Sequence, residues 1–148
     1  MRLWHQKLLP YLPRQQLLGQ HRECCALRGK GWGKKHSVVN YVFTHPTADL
    51  VAYHALVMNE MKHRGYHPDE QWYFADWRGT TLGMEPGWAD VDIAEDQLYF
   101  TEKFGQMIYP EHNDAYLAEC IALLKEKEAP INWDAVEKGG ITNGTMVR

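Results

Sequence analysis

One carboxylate stands among bases between Arg14 and Phe43 of this 148-residue chain. The segment reads RQQLLGQHRECCALRGKGWGKKHSVVNYVF. Arg14, Arg22, Arg28, Lys30, Lys34 and Lys35 supply positive charge, and Glu23 is its only acid. The whole chain carries a net charge of -3, so the imbalance is local. A positive patch on a mildly acidic protein suits a docked polyanion, because phosphate contacts supply most of the affinity in nucleic-acid binding. A carboxylate adds nothing to that affinity. Its use lies in chemistry: it can stabilise a developing positive charge or move a proton.

The basic stretch GKGWGKK is not a phosphate-cradling P-loop. Only three residues separate Gly29 from the Gly33–Lys34 pair, no Ser or Thr follows the lysine, and a helix rather than a strand is expected before it. A glycine-spaced loop with Trp32 at its tip suits groove or backbone contact. Arg28, Lys30, Trp32, Lys34 and Lys35 are therefore candidate DNA-binding residues.

The elements that position these groups read as helices. Pro13 suits a first helical turn and Gly29 a C-terminal stop. Between them Leu17, Leu18, His21, Cys24 and Cys25 gather on one side at helical spacing, and Gln15, Gly19, Arg22, Glu23 and Ala26 on the other. Two of those last five are small, so a bulky partner can approach that face closely. His21, falling with the apolar group, reads as a core or boundary histidine. A second helix is expected from about Thr47 to Arg64, ended by Gly65, with Leu50, His54, Val57 and Met61 as its core stripe. His63 and His67 have a metal-like spacing, but Gly65 and Pro68 break the helix that spacing needs, so no metal is expected.

Downstream, the stretch from His67 to Trp88 is loop-like and holds Trp72, Tyr73, Phe74, Trp77 and Trp88. Aromatics in loops can stack on bases; in a small domain they more often plug the core, and the plug is the favoured reading. Asp92 with Glu95 forms a capping-box pattern for a short helix aligning Ile93, Phe100 and Phe104. A last helix follows Pro110, with Asn113 as N-cap, Leu117, Cys120, Ile121 and Leu124 as its stripe, and Pro130 as its stop. Val38 to Phe43 is the one β-branched run. The expectation is a mainly α fold: one compact helical domain over residues 1–137, with a long first helix, a central helix and a C-terminal helix, then a flexible tail over 138–148.

Bulk properties agree with one domain. No apolar run approaches the roughly 18 residues of a membrane span, and the N-terminus lacks the apolar core of a signal peptide. Three cysteines make no disulfide framework. A reduced, cytoplasmic protein without metal or cofactor is expected. Acids outnumber bases from Glu85 to Glu128, which reads either as a face turned away from DNA or as a solvated helix surface.

The run LPRQQLLGQHRE, from Leu12 to Glu23, resembles the first helix of the pyrimidine-dimer DNA glycosylases of the phage endonuclease V type. The distance of the glutamate from the N-terminus and the Gln15, Leu17, Arg22 and Glu23 positions match. HRGYHPD, from His63 to Asp69, and WRG, from Trp77 to Gly79, match as well, so the likeness covers roughly residues 1 to 80 in pieces. RQQLLGQHREC with KGWGKKH is also similar to a block of uncharacterised bacterial relatives of that family.

That family is mainly helical; it flips a base out of the duplex, breaks the glycosidic bond of a damaged pyrimidine and nicks the strand. The resemblance implies double-stranded DNA with a damaged or modified base as substrate, and an amine nucleophile supplied by the N-terminus. An α-amino group has a pKa of about 7.7–8, below the roughly 10.4 of lysine, so a useful fraction is neutral near physiological pH. It would attack the sugar C1′ and form a Schiff base before β-elimination. Glu23 would stabilise the cationic sugar, and Arg22 and Gln15 would hold phosphates or bases at the kink.

One residue departs from the pattern. The phage enzymes lose their initiator methionine and use a threonine amine, whereas Arg2 here normally blocks that removal. Either Met1 keeps its place and its own amine reacts, or processing exposes the amine of Arg2, or the lyase step is absent. The alternative function is a non-catalytic nucleic-acid-binding module. Glu23 separates the two, because a binding module would lose affinity through it.

Overall fold

A computed structural model describes residues 2–89 and 106–141 of the chain. The expected short helix around Asp92 and Glu95 and the residues beyond Ile141 lie outside the described residues, as does Met1. The fold is mainly helical, as expected. Helix α1 spans Arg14–Arg28, α2 spans Thr47–His63, α3 spans Asp114–Glu126 and α4 spans Trp133–Lys138. Shorter 3-10 turns cover Gln6–Tyr11, Asn40–Thr44 and Glu70–Tyr73. Among the described residues the only ladder pairing is an isolated antiparallel bridge between Trp77 and Met84.

Helix α2 is the axis of the molecule. Leu50, His54, Val57 and Met61 are buried as their spacing predicts, but so are Val51, Ala52, Tyr53, Ala55 and Met58. A helix buried nearly all round is packed on several sides: α1 lies against it, and so do the Gln6–Tyr11 and Glu70–Tyr73 turns. Arg64, just past its end, clamps the entering chain. Its Nη1 donates to the Leu12 carbonyl at 2.6 Å and its Nη2 to Pro10 at 3.0 Å, while Nε pairs with Glu60 at 2.7 Å.

Helix α1 stops at Gly29, whose N–H bonds back to Cys25 and Ala26; Pro13 is its N-cap, one place before the first turn. Its innermost residues are Leu17, Gln20, Cys24 and Leu27. That stripe is turned from the expected one, because a polar residue, Gln20, is in the core. Helix α3 follows the prediction: Asn113 accepts the Tyr116 N–H at 2.9 Å, and Leu117, Cys120, Ile121 and Leu124 are buried.

The β-branched run takes a 3-10 turn instead of a strand. Val39 and Val42 are both fully buried, and a three-residue spacing puts side chains on one side of a 3-10 turn. A further capped element follows α3. Asn132 accepts the Ala135 N–H at 3.1 Å to start α4, which runs through Lys138, and Val136 and Ile141 are buried after that cap.

Candidate functional site

Gln16, Gly19, Gln20 and Glu23 recur at helical spacing, so one face of α1 forms a wall. Arg2, Trp4, Val38, Leu123 and Lys127 complete the lining of a cavity of about 410 Å³. Arg22 is exposed at its edge, and its guanidinium arches over Gly19, 3.7 Å from where a Cβ would stand.

The N-terminal segment is fixed against this helix. Gln20 Oε1 accepts the Trp4 N–H at 2.7 Å, and Gln20 Nε2 donates to the Arg2 carbonyl at 3.0 Å. The Tyr53 hydroxyl donates to the Trp4 carbonyl at 2.6 Å, and the Tyr116 hydroxyl to that of Leu3. Leu3, Trp4 and His5 are buried. The Arg2 guanidinium pairs with Glu119 at 2.7 Å and lies near the Trp4 and Tyr116 rings. The result is a chain start held beside the cavity that Glu23 lines.

Two acceptors in that cavity are unsatisfied. Glu23 Oε1 and Gln16 Oε1 are both buried without a hydrogen-bond partner among the described residues. Buried polar atoms are nearly always paired, so two orphans in one cavity call for an occupant that brings hydrogen donors or positive charge. Desolvation raises the Glu23 pKa, against the opposing charges of the chain's α-amino group and His36. A carboxyl with its pKa raised in a cleft is suited to holding and passing a proton.

The other expected site residues divide into exposed and buried sets. Gln15, Arg22, Lys30, Lys34 and Lys35 are exposed. Gln15 sits one place round the helix from the cavity, whose wall uses Gln16 instead. Arg28 is not available to DNA, which corrects its reading as a phosphate contact. It is 0% exposed, and its guanidinium donates to the carbonyls of Trp72 at 2.7 Å, Phe74 at 2.7 Å and Trp77 at 2.9 Å. Burial lowers its pKa to about 10, which leaves it charged at neutral pH.

Trp32 is likewise not at the tip of the basic loop. It packs edge-on against Phe43 at 5.0 Å and Trp88 at 5.7 Å, and leaves the lysines to face solvent. Gln16 and Gln20 are the residues that sequence reasoning missed. Their spacing from Glu23 was the available signal, seven and three residues back on one helix.

A second polar cluster lies on the far side of α1. His21 Nδ1 and His54 Nε2 are 2.8 Å apart, and Cys25 Sγ is within 3.9 Å of both rings. All three ligand atoms fall within 4.8 Å of one another, a grouping a metal could use. The proton pattern opposes this. Arg28 can only donate, and its Nη1 is 3.0 Å from His54 Nδ1. His54 therefore carries its proton on Nε2, where a metal would have to bind. Burial, with the Arg28 charge, holds both histidines below their usual range, and burial pushes the Cys25 thiol up to about 12. The donor set fits a hydrogen-bonded packing unit better than a metal centre.

The helical domain sets a half-buried carboxylate in a cleft beside its own N-terminal segment. In comparison with protein families, the model described as pyrimidine dimer DNA glycosylase matches residues 1–74. The chain belongs to that family, and its kind of activity is that of a DNA glycosylase acting on a DNA substrate. Comparisons with the curated proteins and with the solved structures found no match. No helix among the described residues is long and apolar enough to cross a membrane.

Proposed function

We propose that this protein excises a damaged or modified pyrimidine from duplex DNA through its N-terminal amine, and nicks the resulting abasic site. The observation that carries the reading is the Glu23 oxygen left without a partner among the described residues, in a cavity that Arg2 and Trp4 also line. The neutral amine attacks C1′, and the base departs with the glycosidic electron pair and takes up a proton. Loss of a proton from the new C1′–N bond and opening of the sugar give the Schiff base. Its electron-withdrawing iminium acidifies the C2′ hydrogen, so β-elimination expels the 3′ phosphate.

Glu23 has two duties in this scheme. As a carboxylate it stabilises the cationic sugar across a short, poorly solvated gap. With its pKa raised by burial, it is a better acceptor for the proton that the attacking amine must lose. Gln16 offers its oxygen to an N–H of the displaced nucleotide. Arg22, Lys30, Lys34 and Lys35 hold phosphates.

Borohydride reduction during turnover on an abasic-site duplex is the test. A covalent protein–DNA adduct is expected, and its formation should depend on Glu23. Absence of the adduct alongside active base release would remove the amine mechanism and leave a simple hydrolytic glycosylase.

A further inference from the structure

The geometry points to residues 79–83 as a rigid finger that enters the DNA base stack, with Leu82 as its apolar wedge; this deepens the proposed function and rests on its DNA-binding part. The finger is the tip of a small hairpin. Trp77 and Met84 face each other across the bridge, and the Glu85 N–H bonds to the Asp76 carbonyl at 2.9 Å. The Arg78 N–H bonds to Gly83 at 2.9 Å, and the Gly83 N–H closes the loop on Gly79 at 2.7 Å. Gly79 (φ 96°) and Gly83 (φ 70°) turn the chain in a region where L side chains are strained. A Cβ on Gly79 would also press on the Trp72 ring at 3.3 Å. A loop so closed does not collapse to hide its tip.

That tip exposes the wrong residue for an idle surface. Leu82 is 40% exposed, with Met84 at 52% and Phe74 at 59% the other large exposed apolar side chains among the described residues. All three belong to this hairpin or its entry. Thr80 and Thr81, beside Leu82, are exposed hydroxyl donors of the kind that contact sugar and phosphate.

Arg78 fastens the finger to the end of the helix that carries Glu23. Its Nε donates to the Arg28 carbonyl at 2.8 Å and its Nη2 to that of Gly29 at 2.9 Å, and it lies 4.9 Å above the Trp88 ring. Leu82, Thr80, Thr81, Lys30 and Ala26 thereby line one cavity of about 400 Å³. On α1, Ala26 stands about 60° round from Glu23 and about 4.5 Å along the axis. The exposed strip of Gln15, Arg22 and Ala26 therefore runs between the Glu23 cavity and the finger. A duplex laid on that strip reaches both.

Charge selects DNA as the occupant over a protein. Lys30 lines the same cavity as the finger, and Lys30, Lys34 and Lys35 are exposed and form no ion pair among the described residues. An apolar tip with Lys30 beside it and two more unpaired lysines in the same loop suits a groove lined with phosphates and floored with stacked bases, where Leu and Met wedges open a base step.

A duplex carrying a tetrahydrofuran abasic analogue next to 2-aminopurine tests the finger. Saturating wild-type protein should raise the 2-aminopurine emission as the step unstacks. Leu82→Ala should bind the duplex and lose most of that rise, Leu82→Phe should keep it, and the thermal melt of both should match wild type. Lys34→Ala with Lys35→Ala should weaken binding yet keep the rise at saturation. An equal rise with Leu82→Ala, or none with wild type at saturation, overturns the finger. So does loss of protein self-association as the sole effect of Leu82→Ala. A borohydride adduct without Leu82-dependent emission sinks the finger alone, whereas Leu82-dependent emission without an adduct sinks the amine chemistry alone.

Discussion

Gln20 Oε1 accepts the backbone N–H of Trp4 at 2.7 Å, and this bond pins the N-terminal segment to the middle of the helix that bears Glu23. The same amide donates to the Arg2 carbonyl, so one side chain satisfies two consecutive buried backbone demands. A glutamine in the core of an otherwise apolar stripe is explained by what it holds.

Replacing Gln20 with Leu should separate holding from folding. The Trp4 N–H is left unpaired, which costs about 1–3 kcal/mol of stability, measurable as a lowered melting temperature. Covalent trapping should fall much further than DNA affinity, because the segment that carries the amine is no longer held. Equal losses in both would make Gln20 merely structural.

Glu23→Gln should slow base release by roughly 10²–10⁴-fold while duplex binding persists or tightens. It should also stabilise the free protein at neutral pH. Burial raises the folded pKa of this carboxyl, so ionising it opposes folding, and the wild type loses stability as pH climbs through that pKa. The gain from Glu23→Gln should therefore appear above the ordinary carboxylate range and vanish below it. Melting curves across pH, compared with single-turnover rates, check both halves.

Arginine and lysine in the basic segment should behave in opposite ways. Lys34→Ala with Lys35→Ala should weaken damaged and undamaged duplex alike and flatten the salt dependence by about one unit per lost contact. Arg28→Ala strands the carbonyls of Trp72, Phe74 and Trp77 and should cost about 3–5 kcal/mol, in the manner of a broken buried charge network. Whatever folds should retain the wild-type salt slope. A reduced slope with intact stability would return Arg28 to the DNA interface.

That contrast marks where the sequence was legible. The bounds of α1 followed from Pro13 and Gly29, the Asn113 cap and its stripe located α3, and the isolated acid at position 23 singled out a residue that lines the α1 cavity. These are local signals. Arg28 and Arg22 look alike in sequence, and only the three distant carbonyls that converge on Arg28 separate them. Trp32 was misread for the same reason, since Phe43 and Trp88 decide its place. Helix α4, six residues long, is too short for periodicity to declare. Gln16 and Gln15 differ by one step round a helix, a distinction the position of the N-terminal segment makes and no local pattern carries.

Acid should unfold the protein through its second histidine pair. His5 and His112 stack at 5.4 Å; His112 accepts the Gln6 N–H on Nδ1 and meets the Tyr41 hydroxyl with Nε2. Burial lowers His5 from 6.5 to about 4 and His112 from 6.5 to about 3, with His5 adding repulsion to the latter. Both are neutral when folded, so the unfolded chain binds more protons below pH 6.5. Stability is full above that value and should decline by a few kcal/mol as pH falls towards 4. Chemical denaturation from pH 7.5 to 4 measures it, and His112→Gln should flatten the lower part of the curve. A flat wild-type profile would mean that other groups offset the pair.

In the proposed scheme the chain's α-amino group is the nucleophile on which the lyase step depends. Gln20, Tyr53 and Tyr116 fix the backbone of residues 2–4, so an extension added ahead of them moves the amine without moving the cavity. Each added residue displaces it by up to about 3.5 Å, enough to destroy attack geometry. An uncleaved N-terminal tag should therefore abolish borohydride trapping and strand nicking, while binding through Lys34 and Lys35 survives. Mass spectrometry of the trapped peptide should place the adduct on Met1, or on Arg2 if the methionine is removed. An adduct on Lys7 or Lys30 would move the nucleophile and leave Glu23 serving a different amine. Full nicking by the tagged protein would have the same force, because no geometry that holds residues 2–4 in place lets a displaced amine reach C1′.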